Sequence, residues 1–293
     1  MQLDVVKQRL LDDALDSYAE ELQRDPTDAT SAVTLGYTHS IHRSWRTALR
    51  MLPVREQWSV LDVGCGLGVL AFELAANQAV SVHGVDIDAR FIHHAGRLLE
   101  RLDGLQLFVP GARVSFAEGD IHALDVADGS VDLLFVRELL QFLPDPAAAV
   151  RELLRVLKPG GYACVSDTDD QLYITWPPSD AQTRLVDAVT AVHRQRGGDR
   201  HTGRKLSTYL RRAGFEINSM VVLPEAQHRL VDATDAERSL VVDQLRSARE
   251  RVVAAGVLSA EEYDAGLAEL EAESPHEEFR MNASIIVLGQ RPV

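Results

Sequence analysis

Glycines recur at every second position directly after a short apolar segment, a pattern that places a ligand against bare main chain. Gly64, Gly66 and Gly68 follow the apolar run Val60–Val63, which carries a single acid, Asp62. Glycine is needed where the backbone takes a positive φ angle or where a ligand lies on the main chain. A helix that begins after such a turn also offers N–H groups without intrahelical partners. The segment therefore predicts a strand, a ligand-binding turn and a helix, in that order.

Two classes of ligand fit this turn, and the acid Asp62 distinguishes between them. Residues Gly66 to Ala71 match the dinucleotide fingerprint G-x-G-x-x-A, which is weak by itself. A carboxylate at Asp62 would lie unfavourably beside a pyrophosphate, but it suits a ligand that carries an ammonium and a neighbouring sulfonium. A nicotinamide-dependent oxidoreductase stays open as an alternative, although none of the six tyrosines is followed by a lysine four residues later.

The order of landmarks around the turn resembles the class I S-adenosylmethionine-dependent methyltransferases, and the resemblance covers residues 55–166. The turn after Asp62 resembles the first motif of that family, and Asp86, at the end of the next predicted strand, takes the place of the acid in its second motif. Asp120 and Ile121 resemble the third motif. The later landmarks follow in chain order: Leu143-Pro144-Asp145-Pro146 and Arg155 to Gly161.

This resemblance implies S-adenosylmethionine as the cofactor and S-adenosylhomocysteine as its product. It implies that Asp86 accepts the ribose hydroxyls, that Asp120 reads the adenine amino group, and that the backbone of Ile121 contacts the ring. Cys65 fills space inside the turn. The complete donor-binding set that we predict is Asp62, Gly64, Cys65, Gly66, Gly68, Asp86, Ile87, Asp120, Ile121, Arg137, Arg46 and Tyr37.

Residues that follow the fourth and fifth predicted strands are the candidates for the acceptor side, because ligands of open α/β sheets bind at the carboxyl ends of the strands. A base is needed only if the acceptor must lose a proton. We predict Glu138, Arg137 and Asp167 as catalytic residues. We predict the substrate-binding residues to be Tyr18, Gln141, Asp169 and Trp176. For each of these, a solvated loop residue or simple helix packing is the alternative interpretation.

We expect no required metal and no special role for the basic segment near residue 200. His93 and His94 are adjacent on a predicted helix and therefore point in different directions. The acids at 167, 169 and 170 give too few oxygens for a hard cation. The segment Arg194–Arg212 is interrupted by glycines, and we interpret it as a solvated connection.

Strands and helices alternate from residue 59 onward, which is typical of a doubly wound α/β fold. We predict a mostly parallel, seven-stranded Rossmann-like sheet with helical N-terminal and C-terminal cap elements. The predicted strands are Val60–Val63, Val80–Val85, Val114–Phe116, Val131–Val136, Tyr162–Ser166, Phe215–Leu223 and Arg280–Leu288. Helices are predicted within 1–52, after Asp88, after Asp145, near 180–195 and 204–213, and within 225–275.

These elements divide the chain into four segments. Residues 1–54 form a helical N-terminal cap, and 55–224 form the S-adenosylmethionine-binding core. Residues 225–276 form a helical cap insertion, and 277–293 supply the final strand of the core sheet. The stretch 39–52 within the first segment is predicted to be a second helix.

Composition excludes several classes of protein. The 293 residues are 46% hydrophobic, which is typical of a globular chain, and the net charge of −14 disfavours unsteered binding to nucleic acid. No apolar run approaches the ~20 residues that span a bilayer, and the N-terminus lacks the pattern of a signal peptide. Two cysteines suggest a reducing compartment. We therefore expect a cytoplasmic protein without membrane or nucleic-acid partners.

We expect the acceptor to be a small molecule, because several aromatic residues could line a flat pocket. These are Trp45, Trp58, Trp176 and Tyr173, and they favour an aromatic natural product as the acceptor. Whether oxygen, nitrogen or carbon is methylated stays open, as does a homodimer. A non-catalytic relative that only binds the donor is the second alternative.

Overall fold

The protein is described by a computed structural model that covers residues 5–24, 31, 34–35, 46, 49, 52, 54–231, 236–272 and 276–293. Its described strands form one mixed sheet. They are β1 (Ser59–Val63), β2 (Ser81–Asp86), β3 (Arg113–Glu118), β4 (Val131–Arg137), β5 (Leu157–Thr168), β6 (Ile174–Trp176), β7 (Glu216–Val231) and β8 (His276–Gln290). The order across the sheet is β3-β2-β1-β4-β5-β8-β6, with β7 also paired to β8.

Eight α-helices flank this sheet in the part of the chain that the structure describes. They are α1 (Val5–Gln23), α2 (Val69–Asn77), α3 (Ala89–Gly104), α4 (Pro146–Val156), α5 (Asp180–Gln195), α6 (Leu206–Ala213), α7 (Ala236–Ala254) and α8 (Ala260–Ala272). The starts of two helices follow from local chemistry. Asp88 accepts a hydrogen bond from the Arg90 amide before α3, and Asp145 accepts one from the Ala148 amide before α4.

Strands β1 to β5 run parallel, and β8 returns antiparallel to β5. Side chains alternate between the two faces of β4. Leu134 and Val136 pack against α4 and α6, whereas Leu133 and Phe135 pack against α2. The predicted mostly parallel Rossmann-like sheet with flanking helices is confirmed, and the three-residue strand β6 adds an eighth strand that the sequence did not predict.

The two final strands are longer than predicted. β7 continues to Val231 rather than ending at Leu223, and β8 begins at His276 rather than at Arg280. Residues 225–231 are therefore strand and not part of a helical insertion, because each pairs with a residue of β8. The helices of the predicted insertion are α7 and α8, and the predicted helix at 39–52 lies largely outside the described residues.

The extra length of β7 and β8 carries a ribbon past the end of the parallel sheet. The pairing of β5 with β8 ends at Thr168 and Ser284, and residues 276–283 of β8 continue beyond that point. There they pair with β7 on one side and with β6 on the other. The ribbon therefore extends beyond the carboxyl ends of β4 and β5, where the candidate acceptor residues lie.

A separate apolar cluster joins α5, α7 and α8. The ring of Tyr263 on α8 is completely buried there, and its hydroxyl donates to the Leu245 carbonyl at 2.7 Å. No helix within the described ranges is both long and apolar enough to cross a membrane.

Candidate active site

The glycine turn between β1 and α2 is held by the end of the neighbouring strand. The amide of Gly64 donates to the Val85 carbonyl at 2.8 Å, and the amide of Gly66 donates to the Asp86 carboxylate at 2.8 Å. The φ angles of Gly64, Gly66 and Gly68 are 73°, 53° and 84°, all in the left-handed region. The predicted need for glycine is thus explained by backbone conformation at each of the three positions.

Only one of the three glycines presents open main chain. A Cβ on Gly64 would lie 2.8 Å from Leu139, and one on Gly68 would lie 2.5 Å from the Phe116 ring. A Cβ on Gly66 would meet no atom within 4 Å. Helix α2 begins directly after Gly68 without a side-chain cap. An approaching ligand would therefore contact the main chain at Gly66, next to the start of a helix.

Asp62 lies at the end of β1 and is 1% exposed. Burial raises its pKa to about 6, against the attraction of the Arg137 guanidinium, and Asp86 adds a smaller repulsion. Its Oδ2 atom has no hydrogen-bond partner among the described residues. A buried carboxylate oxygen that lacks a donor is suited to a cationic ligand group. The ammonium of a methionine moiety would fit this requirement.

The next acid along the edge of the sheet is Asp86, whose carboxylate spans two amides. One oxygen accepts from Gly66 and the other accepts from Asp88 at 3.0 Å. Burial raises the pKa of Asp86. Ile87 beside it is 69% exposed and offers an apolar surface to a ligand.

The two residues of the third motif differ in their exposure to solvent. Asp120 is exposed and accepts hydrogen bonds from the amide and ring of His122, which lower its pKa. The Ile121 side chain is buried in the core with Leu124. Only the backbone of Ile121 is therefore available for the ring contact that the resemblance implies.

On the acceptor side, the first residue after β4 has an unusual backbone. Glu138 has a φ angle of 51°, and its amide continues the pairing of β4 by donating to the Ser166 carbonyl at 3.0 Å. Its carboxylate accepts from the Gln141 side-chain amide at 2.9 Å. Arg137, directly before it, is partly buried and lies within the electrostatic reach of both Asp62 and Glu138.

Asp167, at the end of β5, is completely buried close to Glu138. Its carboxylate accepts from the amides of Gln141 and Thr168 at 2.9 and 3.0 Å. Burial, together with the negative charge of Glu138, raises the pKa of Asp167 well above the usual range. The structure therefore brings the three predicted catalytic residues together at the ends of β4 and β5.

Two predicted substrate contacts, Gln141 and Asp169, have buried side chains that are already bonded to other residues, and their contact with a substrate stays a prediction. Gln141 is 2% exposed, and its side chain bonds Glu138 and Arg200. Asp169 is also buried and holds the Arg204 guanidinium. Trp176, by contrast, is 70% exposed on β6.

The N-terminal candidates are also engaged with other residues. Tyr18 is buried between α1 and α3, where its hydroxyl forms a hydrogen bond with His94 at 2.9 Å. Arg46 is bonded to Asp12 and Glu73, so its contact with a donor carboxylate stays a prediction, as does the substrate contact of Tyr18. Tyr37 lies outside the described residues.

Sequence reasoning missed the contribution of Arg200. Its guanidinium binds Asp170 through Nη2 at 2.8 Å and donates to Gln141 through Nη1 at 2.6 Å. The segment around it is therefore tied to the site and is not a solvated connection. Spacing could not reveal this, because Gln141 and Arg200 are 59 positions apart and only the tertiary fold brings them together. Among the described residues, no three potential metal-ligating side chains are grouped.

Comparisons with known proteins agree with this geometry. The family model described as a methyltransferase domain matches residues 61–165. The chain is 32% identical over 224 residues to an uncharacterized 37.1 kDa protein in transposon TN4556 of Streptomyces fradiae, covering 74% of this chain and 59% of that protein. It is 37% identical over 109 residues to the 2-methyl-6-phytyl-1,4-hydroquinone methyltransferase of Synechocystis sp., covering 37% of this chain and 31% of that enzyme.

The chain thus spans less than two thirds of the length of either relative. Among solved structures, the [4+2]-cyclase SpnF aligns with a TM-score of 0.54 at 22% identity, over 86% of this chain and 80% of that one, which is a likeness of fold. Residues 61–165 are thus a methyltransferase domain, and the glycine turn and the parallel sheet around them agree with the class I S-adenosylmethionine-dependent type.

Proposed function

We propose that this chain transfers a methyl group from S-adenosylmethionine to a small-molecule acceptor. The observation that carries the proposal is the open main chain at Gly66, whose amide donates to Asp86 and which follows the buried acid Asp62 in the same turn. S-adenosylmethionine would supply a methyl group already activated on a sulfonium. The protein must then bind the donor and the acceptor, align them and exclude water.

Each donor contact is assigned to one part of the turn and its neighbouring strands. Asp62 would hold the ammonium, and the main chain at Gly66 would lie against the body of the donor. Asp86 would accept the ribose hydroxyls, and the exposed surface of Ile87 would cover one face of the adenine. Asp120 lies exposed at the end of β3, where it would take the adenine amino group.

The acceptor that this site favours has a flat apolar body. Trp176 pairs with Phe279 across β6 and β8, and Ile174 pairs with Met281 two positions away. Trp176, Phe279 and Ile174 are all exposed and, by the alternation of strands, share one face of the ribbon beyond the carboxyl ends. A curated relative is named for methylation of a hydroquinone, which supports an aromatic small molecule as the acceptor class.

Calorimetric titration of the purified chain with S-adenosylmethionine, S-adenosylhomocysteine and NADH tests the proposal. We expect micromolar binding of the first two and no heat from NADH. Binding of NADH alone would overturn the assignment of the glycine turn to a methyl donor. With donor binding established, a panel of phenols and hydroquinones in a tritiated methyl-transfer assay then tests the acceptor class.

A further inference from the structure

Glu138 adopts a backbone conformation that its residue type disfavours. For a residue with a Cβ, the left-handed region is energetically unfavourable, and the φ angle of Glu138 is 51°. Such conformations persist where the surrounding structure fixes them and are concentrated at functional sites. Here the Glu138 amide is held by Ser166 and its carboxylate by Gln141. The chain therefore keeps a glutamate in a strained position at the carboxyl end of β4.

Gln141 holds Glu138 and Asp167 at the same time. Its side-chain amide donates to Glu138 Oε2, and its main-chain amide donates to Asp167 Oδ2, both at 2.9 Å. Two carboxylates that accept hydrogen bonds from the same residue in a poorly solvated site repel each other when both are ionised. Asp167 is completely buried, whereas Glu138 is partly exposed. Glu138 is thus the member of the pair that a ligand can reach.

Arg200 and Asp170 decide which way the Gln141 amide points. The Gln141 Oε1 atom accepts from Arg200 Nη1, so its NH₂ group faces Glu138. The guanidinium is fixed in turn by Asp170 through Nε and Nη2. The main chain is also tied, because the Asp170 amide donates to the Arg200 carbonyl at 3.1 Å. This relay fixes the orientation of the Gln141 side chain, which in turn holds the Glu138 carboxylate.

We propose that Glu138 accepts the proton of a hydroxyl acceptor, that Glu138 and Asp167 together hold one proton in the resting protein, and that Gln141, Arg200 and Asp170 position the pair. This inference rests on the proposed methyl transfer and specifies its acceptor as a hydroxyl compound. In the step, the acceptor O–H bond breaks, its electron pair stays on oxygen, and the proton forms an O–H bond with the Glu138 carboxylate. The oxygen thereby becomes the nucleophile for the methyl group.

The charges around the pair fit this role. Burial raises the pKa of Glu138, while Arg200 and Arg137 lower it and Asp170 raises it. Asp167 is subject to burial and to Glu138, which raise its pKa, and to Arg200, which lowers it. A carboxylate whose pKa lies nearer to neutrality is a more effective base at that pH.

Carboxyl-carbon NMR of the ligand-free protein, labelled at glutamate and aspartate, tests the pair without an acceptor. The titrations of Glu138 and Asp167 are assigned with Glu138→Gln and Asp167→Asn. We expect Glu138→Gln to lower the pKa of Asp167 by about one pH unit or more, because coupled groups titrate as a pair. Glu118→Gln, at an exposed position on β3, is the control and should leave the Asp167 titration unchanged.

The relay is tested in the same titration by Gln141→Met and Arg200→Met. Each removes a group that stabilises the ionised form of Glu138, so each should raise the pKa of Glu138. An unchanged Asp167 titration in Glu138→Gln overturns the pair, and an unchanged Glu138 titration in Gln141→Met overturns the relay. Neither outcome depends on the calorimetric titration with the methyl donor. A failure of the proposed methyl transfer can therefore be distinguished from a failure of the carboxylate pair.

The preference for a hydroxyl is tested with phenol and toluene as probes in the presence of S-adenosylhomocysteine. The two molecules have the same ring and similar size, but only phenol can donate a hydrogen bond. We expect phenol, and not toluene, to shift the Glu138 carboxyl resonance in the unmodified protein. Equal shifts from both probes, or none from phenol, would contradict the assignment of Glu138 to a hydroxyl.

Discussion

At the scale of single residues, buried carboxylates are the main feature of the candidate site. Asp62 is buried at the end of β1 beside Arg137, and its pKa of about 6 shows that burial outweighs the attraction of that guanidinium. A ligand cation would supply the partner that the free Oδ2 atom lacks among the described residues. Donor binding and the ionisation of Asp62 should therefore be linked.

The first prediction follows from this linkage. Below pH 6 Asp62 is protonated and cannot pair with the donor ammonium, so S-adenosylmethionine should bind about tenfold more weakly at pH 5 than at pH 7.5. Calorimetric titration across this range, at constant ionic strength, measures the effect. Asp62→Asn should flatten the profile and retain only the part that other groups contribute. Equal affinities at the two pH values in the unmodified protein would refute the pairing.

Asp86→Ala is the second prediction at this scale. Removing the carboxylate leaves the donor ribose hydroxyls and the Gly66 amide without an acceptor, and we expect a loss of ~2 kcal/mol in donor binding. Asp145→Ala is the matched control, because it removes the side-chain cap of α4 outside the donor site. The control should lower the melting temperature slightly and leave donor affinity unchanged. Unchanged affinity in Asp86→Ala would remove Asp86 from the site.

At the scale of elements, the glycine turn joins a strand and a helix that are both buried. All residues of α2 from Val69 to Ala76 are buried, so the helix has no freedom to move away from β1. The turn must therefore adopt three positive φ angles in a fixed space. The three glycines differ in their surroundings. Substitutions at different glycines should therefore separate an effect on folding from an effect on ligand binding.

Gly66→Ala and Gly68→Ala form a pair that tests this separation. Both put a Cβ at a positive φ angle, which costs about 1–2 kcal/mol, but only the Cβ at position 68 also meets the Phe116 ring at 2.5 Å. We expect Gly66→Ala to remain folded and to lose donor binding at least tenfold. Gly68→Ala should show the larger drop in melting temperature. Normal donor affinity in a folded Gly66→Ala protein would mean that the ligand does not lie at this turn.

At the scale of the whole molecule, the sheet and the helical cluster of α5, α7 and α8 have distinct apolar cores. The contact between α5 and α8 is close, because even a Cβ on Gly266 would lie closer to the Leu185 side chain than ordinary van der Waals contact. The glycine turn depends on β1, β2 and α2, which contribute nothing to this cluster. Damage to the cluster should therefore spare donor binding.

Gly266→Leu tests the independence of the two cores. Its side chain would overpack the α5–α8 contact, where a Cβ alone would lie 3.1 Å from Leu185, and we expect a cost of about 1–3 kcal/mol. Ala265→Leu places the same side chain on the exposed face of α8 and is the control. Hydrogen exchange should increase in α5, α7 and α8 of Gly266→Leu only, with donor affinity retained. A parallel loss of donor binding would show that the two parts are coupled.

Local sequence determined most of the proposed donor site, because its signals lie within single strand–turn–helix units. Asp86, which accepts from the Gly66 amide 20 residues earlier, is identified by its place in the order of family motifs. The glycines after Asp62 and the caps Asp88 and Asp145 act on neighbouring residues, so spacing alone predicts their structure. The alternation of apolar runs likewise predicted the parallel sheet. Such features need no knowledge of which distant segments meet.

Only the tertiary structure decided the arrangement of the candidate acceptor residues. Arg200 reaches Gln141 across 59 residues, and Tyr18 and Asp169 are withdrawn from the site by packing and ion pairs with distant partners. The ribbon of β7 and β8 is likewise fixed by pairing between strands that the α7–α8 hairpin separates. These interactions depend on long-range closure of the chain, and no local spacing encodes which polar side chain will be buried, paired or left facing a substrate.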